Sequence, residues 1–119
     1  MDVALKRAYE PAADSDGYRV LVDRLWPRGV SRERADLDEW ARELAPSAEL
    51  RSWFGHDPAR YAEFRRRYIG ELGEQAERLS DLRRIARRGR LTLVYGAADR
   101  DHNDAVVLAE VLRRGRRSS

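Results

Sequence analysis

The run Asp23-Arg24-Leu25-Trp26-Pro27-Arg28 places a carboxylate, two guanidinium groups and an indole on one short segment. The planar fork of arginine matches phosphate or carboxylate oxygens bidentately, so Arg24 and Arg28 are candidate anion ligands. Asp23 would orient one guanidinium or accept a ligand hydroxyl, and Trp26 would offer a stacking wall. The competing reading is an internal Asp-Arg pair that pins the turn, with Trp26 filling the core beneath Pro27. A second polar segment, Gly96-Ala97-Ala98-Asp99-Arg100-Asp101-His102-Asn103, follows Tyr95, the alternative stacking wall. Imidazole titrates near neutrality, which makes His102 the candidate catalytic proton-transfer group, with Asp99, Asp101 or Asp104 to orient it. Asn103 is the remaining candidate for ligand binding. The plainer reading is a histidine at a helix start, with Asn103 or Asp101 as the cap. His56 lies in the corner Gly55-His56-Asp57-Pro58 between helices and is read as structural.

Other chemistry finds less support. Asp99, Asp101, Asn103 and Glu110 fall on positions one, three, five and twelve of a calcium loop, but Asp104 stands where the sharp turn demands glycine. No catalytic signature is complete, and no metal-finger spacing or phosphate loop occurs. The chain has no cysteine, which excludes disulfides and thiol nucleophiles. Neither a metal site nor a cofactor is expected.

These residues must be positioned by elements that periodicity and turn chemistry reveal. Val3 to Tyr9 alternates as a strand, and Arg19 to Leu25 carries the continuous Val20-Leu21-Val22 run of a strand covered on both faces. Turn residues Pro11 to Gly17 separate them, and whether the two pair as a hairpin stays open. Leu37, Trp40, Ala41 and Leu44 recur at helical spacing up to Pro46. Ser47 caps a short helix bearing Leu50, Trp53 and Phe54, and Gly55 ends it. Asp57-Pro58 starts the next helix, whose stripe Tyr61, Phe64, Tyr68 and Leu72 is prolonged by Ala76, Leu79, Leu82 and Ala86. Gly70 and Gly73 allow either one bent helix or two abutting ones. Leu91 to Tyr95 is a short buried strand, and Asn103 to Arg114 is the last helix. Trp40, Leu44, Phe64, Tyr68, Leu93 and Leu108 are the expected core.

The order of elements predicts an α/β fold: a small layered single domain over 1–112, with a short, mostly parallel sheet flanked by helices and the second and last strands adjacent. The basic tail 113–119 is expected to fray. In such sheets ligands lie beyond the carboxyl ends of strands. The two polar segments would then face one crevice, bringing Asp23, Arg24, Arg28 and His102 together.

Composition bounds the partners. A chain of 119 residues makes one ordinary domain, and its 42% hydrophobic content is too interspersed with charge to span a membrane. No export leader is apparent, so the cytoplasm is the expected location. Basic residues number 24 against 21 acidic ones, a net +3, yet the pI is about 9.7. Arginine causes this, because Lys6 is the only lysine and arginine does not deprotonate in the accessible range. Arginine and alanine enrichment of this kind is what a GC-rich genome writes onto any surface, without selection for nucleic acid.

A long ordered series runs through the chain: Arg19 to Gly29, Trp40, Leu44-Ala45-Pro46-Ser47, Leu50-Arg51, Trp53-Phe54, His56-Asp57-Pro58, Phe64, Tyr68, Glu71-Leu72, Thr92-Leu93-Val94-Tyr95 and His102-Asn103-Asp104-Ala105. On these residues the segment Val3 to Leu112 resembles the YeaO-like branch of the bacterial family known as domain of unknown function 488. The resemblance implies a site at the same loops but no reaction. Other branches look to carry cysteine-bearing motifs, so thiol chemistry does not transfer to this chain.

The expectation is therefore a domain that binds a small anionic ligand, a nucleotide or phosphorylated metabolite, in the strand-end crevice. Transfer or hydrolysis at a phosphate or glycosidic bond is the reaction class to test. The alternative is a nucleic-acid-binding module using Arg65, Arg66, Arg67, Arg83, Arg84, Arg87, Arg88 and the tail. A third is an interaction protein without ligand chemistry. Composition says nothing of oligomeric state.

Overall fold

The computed structural model describes residues 1–114. Strands β1 (Asp2–Arg7), β2 (Tyr18–Leu21), β3 (Glu39–Trp40) and β4 (Arg90–Tyr95) form one sheet in the order β1-β4-β2-β3. Every pairing is parallel, so β1 and β2 are not a hairpin: β4 lies between them, with Leu5 opposite Leu93 and Val20 opposite Leu93 on its other side. The expected adjacency of the second and last strands is present.

Side-chain alternation divides the sheet into two unequal faces. Val20, Val22, Leu91, Leu93 and Tyr95 pack into the main core with Leu44, Phe64, Tyr68 and Leu108. The helices α2 (Ala48–Phe54), α3 (Tyr61–Leu72), α4 (Ala76–Arg88) and α5 (Asp104–Arg114) supply the rest of that layer. Leu21, Val94 and Ala8 point the other way, onto Trp26, Leu37 and Trp40. Thus the Val20-Leu21-Val22 run is buried on both faces, as its continuity requires. Trp40 is a correction to the expected core, since it is half-buried on the minor face, edge-on to Trp26 at 5.4 Å.

The segment expected as a helix through Leu37 and Leu44 is instead a single helical turn, α1 (Arg32–Ala35), then β3 and a 3₁₀ turn over Arg42–Leu44. Asp36 takes a left-handed φ of 46° and ends the helix early. The backbone then finds better partners in the sheet, where Asp38 donates to Arg19 O at 2.9 Å and Ala41 to Leu21 O at 2.9 Å. Sheet pairing with β2 overrides the 3.6 period.

Local signals hold where the chain is its own partner. Ser47 accepts the Leu50 N–H and Gly55 closes α2 with a φ of 54°. Gly73 to Gln75 forms a 3₁₀ turn between α3 and α4, so the long stripe is two helices. α5 continues through Arg113, which donates to Val3 O at 2.9 Å, while 115–119 lie outside the described residues.

At the amino ends of the strands a buried ionic cluster fixes the sheet. Arg19, 3% exposed, donates to Asp16 at 2.7 Å and to Ala35 O at 2.6 Å, and Lys6 reaches the same carboxylate at 3.0 Å. Burial pushes the Asp16 carboxyl up, but the Ala13 N–H and the two cations outweigh it and hold the group below its usual value. Gly17 beside it has a φ of 68°, and a Cβ there would lie 2.2 Å from Arg90 O. Only glycine fits that position.

Candidate functional site

Parallel pairing brings the carboxyl ends of β2 and β4 to one side, and a cavity of about 440 Å³ opens beyond them. The loop after β2 contributes Asp23, Arg24, Leu25, Trp26 and Pro27, the loop after β4 Gly96 and Ala97, and the start of α5 Asn103 and Asp104. α2 and its exit add Arg51, Ser52, Phe54, Gly55 and His56. Phe64, stacked on Phe54 at 4.2 Å, closes the apolar side.

Asp23 is the best-anchored polar group. Its Oδ2 accepts the Gly96 N–H at 2.8 Å and its carbonyl accepts the Trp40 indole N–H at 2.8 Å, tying both loops together. Its carboxyl interacts with that of Asp104, the first residue of α5, which lines the same cavity. Burial is the main force raising the Asp23 pKa, opposed by that interaction, the Gly96 N–H and the charges of His56 and Arg51. Asp104 is raised well above the usual value by burial first and the adjacent Asp23 charge second. Two neighbouring carboxyls cannot both ionise at low cost, so the pair favours keeping one proton.

The basic groups form a rim. Arg24 Nε donates to Pro46 O at 3.1 Å, which holds its guanidinium in the wall. Arg51 and His56 are exposed and line the cavity. His56 has a φ of 58°, a left-handed geometry that costs energy outside glycine and directly follows left-handed Gly55. Trp26 is fixed by its indole N–H, donated to Val30 O at 2.6 Å, and Arg32 lies over its ring.

Of the residues singled out in the sequence, Asp23, Arg24, Trp26 and Asn103 line the cavity, whereas Arg28, Tyr95 and His102 do not. Arg28 is exposed on the outer turn, with its carbonyl accepting from Tyr9. Tyr95, 2% exposed, is packed in the main core. Asn103, also 2% exposed, is the cap of α5: Oδ1 accepts the Val106 N–H at 3.0 Å and Nδ2 donates to Asp99 O at 2.8 Å. His102 Nδ1 pairs with Asp99 Oδ2 at 3.0 Å, and its ring meets Tyr61 edge-on. The expected convergence of Asp23, Arg24, Arg28 and His102 is thus limited to the first two.

Sequence reasoning passed over Arg51, read His56 as structural and gave Asp104 only a supporting part. Arg51 belongs to α2 and His56 to the exit of α2, whose approach to the strand ends is set by tertiary packing. Asp104 becomes the partner of Asp23 only through the parallel neighbouring of β2 and β4. The calcium pattern dissolves in space, since Asp99 closes a turn on the Asp101 and His102 N–H groups while Glu110 pairs with Arg65 and Arg114. Among the described residues no three His, Asp or Glu side chains are grouped to hold a metal ion.

Comparison with known proteins adds lineage. The chain is 47% identical over 113 residues to the uncharacterized protein YeaO of Escherichia coli K12, covering 95% of this chain and 98% of that one. It is 40% identical over 110 residues to the uncharacterized protein Rv3073c of Mycobacterium tuberculosis H37Rv, covering 92% of each. No solved structure matches the chain significantly. A family model described as the inactive DUF488-N3 subclade matches residues 2–118. With that match and a nearly full-length relative of this identity, the chain belongs to the YeaO-like part of the DUF488 family.

Proposed function

We propose that the chain is a binding domain whose strand-end pocket takes a small anionic ligand of the nucleotide or phosphorylated-metabolite class. The observation that carries this reading is one cavity of about 440 Å³ that combines the guanidinium groups of Arg24 and Arg51 and the imidazole of His56 with the indole of Trp26. That size and that mixture of an apolar wall with a few polar groups are those of small-molecule sites. Arg51 takes the part expected of Arg28, since it faces the cavity. The word inactive in the subclade's description favours binding over turnover. Transfer or hydrolysis is the narrower variant, in which Asp23 and Asp104 rather than His102 would move the proton, because they line the cavity.

The test is thermal melting with phosphate, sulfate and nucleoside monophosphates. A ligand at a hundred times its Kd stabilises the native state by about 2.7 kcal/mol, a shift of many degrees for a domain of this size. Arg51→Ala should abolish the shift and leave apo stability within about 0.5 kcal/mol, as an exposed substitution does, while Arg28→Ala should leave the shift intact. Shifts that survive both Arg51→Ala and Arg24→Ala would place the anion elsewhere and end this reading.

A further inference from the structure

The cavity is divided by charge, and the division narrows the ligand class. Its rim carries the guanidinium groups of Arg24 and Arg51, but its floor carries the interacting carboxyls of Asp23 and Asp104. The Gly96 N–H occupies Asp23 Oδ2 at 2.8 Å. An amine or other cation would be repelled by Arg24 and Arg51, and a phosphate would be repelled by the floor. A neutral hydroxyl suits both carboxyl forms, because it donates to a carboxylate and accepts from a carboxylic acid. The apolar wall of Trp26, Pro27 and Phe54 suits the C–H face of a sugar.

Resting on the anion-binding reading above, we propose that the Asp23–Asp104 pair is a hydroxyl-recognition subsite, so that the ligand is a sugar phosphate or nucleotide held by its sugar hydroxyls at the floor and its phosphate at the rim. The shared proton sets the polarity of the subsite: Asp104 donates and Asp23 accepts. Recognition then fails when Asp104 ionises, because the donor is lost and a second negative charge faces the ligand. The charged and titratable groups around the pair are Arg24 from its own loop, Arg51 and His56 from α2 and its exit, and Tyr61 and Tyr68 from α3. Burial pushes the Tyr61 hydroxyl up to about 12 and Tyr68 well above its usual value, so both stay neutral while the pair titrates.

Calorimetric titration of the whole chain with ribose 5-phosphate and with ethyl phosphate, which has no carbon-bound hydroxyl, separates the subsite from the anion site. Ribose 5-phosphate should bind about tenfold tighter or more, the worth of a hydrogen bond to a charged group. Asp104→Ala should erase that preference while ethyl phosphate binding persists. Should Asp104→Ala fail to fold, Asp104→Asn serves, since its amide keeps a donor without a titrating proton. The preference for ribose 5-phosphate should decline with rising alkalinity in the parent and hold steady in Asp104→Asn. Equal binding of the two phosphates by the parent, or a preference that survives Asp104→Ala, overturns the subsite and leaves the anion site standing. Failure of both phosphates to bind overturns the subsite and the anion site together.

Discussion

Asp23 and Asp104 concentrate the energetic cost of the site in two side chains. An aspartate whose pKa is raised on folding keeps a proton that the unfolded chain has already released. Stability contributed by Asp104 is therefore lost as pH rises from 3.8, the ordinary value, to its elevated pKa, and is flat beyond it. Asp104→Asn removes this loss. Denaturant titration should find the variant equal to the parent near pH 4 and more stable, by on the order of 1 kcal/mol or more, at neutral pH. A gap that closes as pH rises contradicts the shared proton. The residue types of this pair were visible in the sequence, but their partnership was not, because nothing local distinguishes an aspartate at a helix start from one that meets a strand end. His102 shows the converse: an imidazole beside three carboxylates draws attention, yet Asp99 folds back on it and its ring turns to Tyr61.

Elements with local stop and start signals were legible, and those made by pairing were not. Ser47, Gly55, Asp57-Pro58 and the cap before α5 act within a few residues, so sequence spacing suffices to place α2, α3 and α5. β3 has no such autonomy, since its two residues are extended only because β2 accepts them as an edge strand. Phe64 joins these elements to the pocket: it is 1% exposed, stacks on Phe54 of α2, and also lines the cavity. Phe64→Ala should cost about 3 to 5 kcal/mol, the usual range for a buried aromatic. An unchanged urea midpoint would detach α3 from the core. Ligand binding should weaken in the same variant, because Phe54 and the α2 exit that carries His56 lose their support.

Across the molecule, more than half of the arginines among the described residues engage the chain's own carboxylates or aromatic rings. Arg65 pairs with Glu110, Arg66 and Arg67 with Glu63, and Arg84 with Asp81, while Arg78 spans Glu39, Glu43 and Asp81. Arg60 and Arg67 also lie over Trp53. No helix of the described residues is long and apolar enough to cross a membrane. Such a surface offers duplex DNA an interleaved field in place of a basic stripe. Binding to duplex DNA should be weaker than about micromolar at physiological salt and fall steeply with ionic strength. Submicromolar binding would promote the helical surface to the functional one. Among the described residues, the strand-end cavity of about 440 Å³ is larger than the one of about 230 Å³ beside Arg84 and Arg88 and brings Arg24 and Arg51 to an apolar wall. Backbone amide NMR during titration with a nucleoside monophosphate measures that assignment most directly. The account predicts saturable shifts at Asp23, Arg51, His56, Gly96 and Asp104, with the amides of α4 unmoved; shifts centred on α4, or none at any residue lining the cavity, would contradict it.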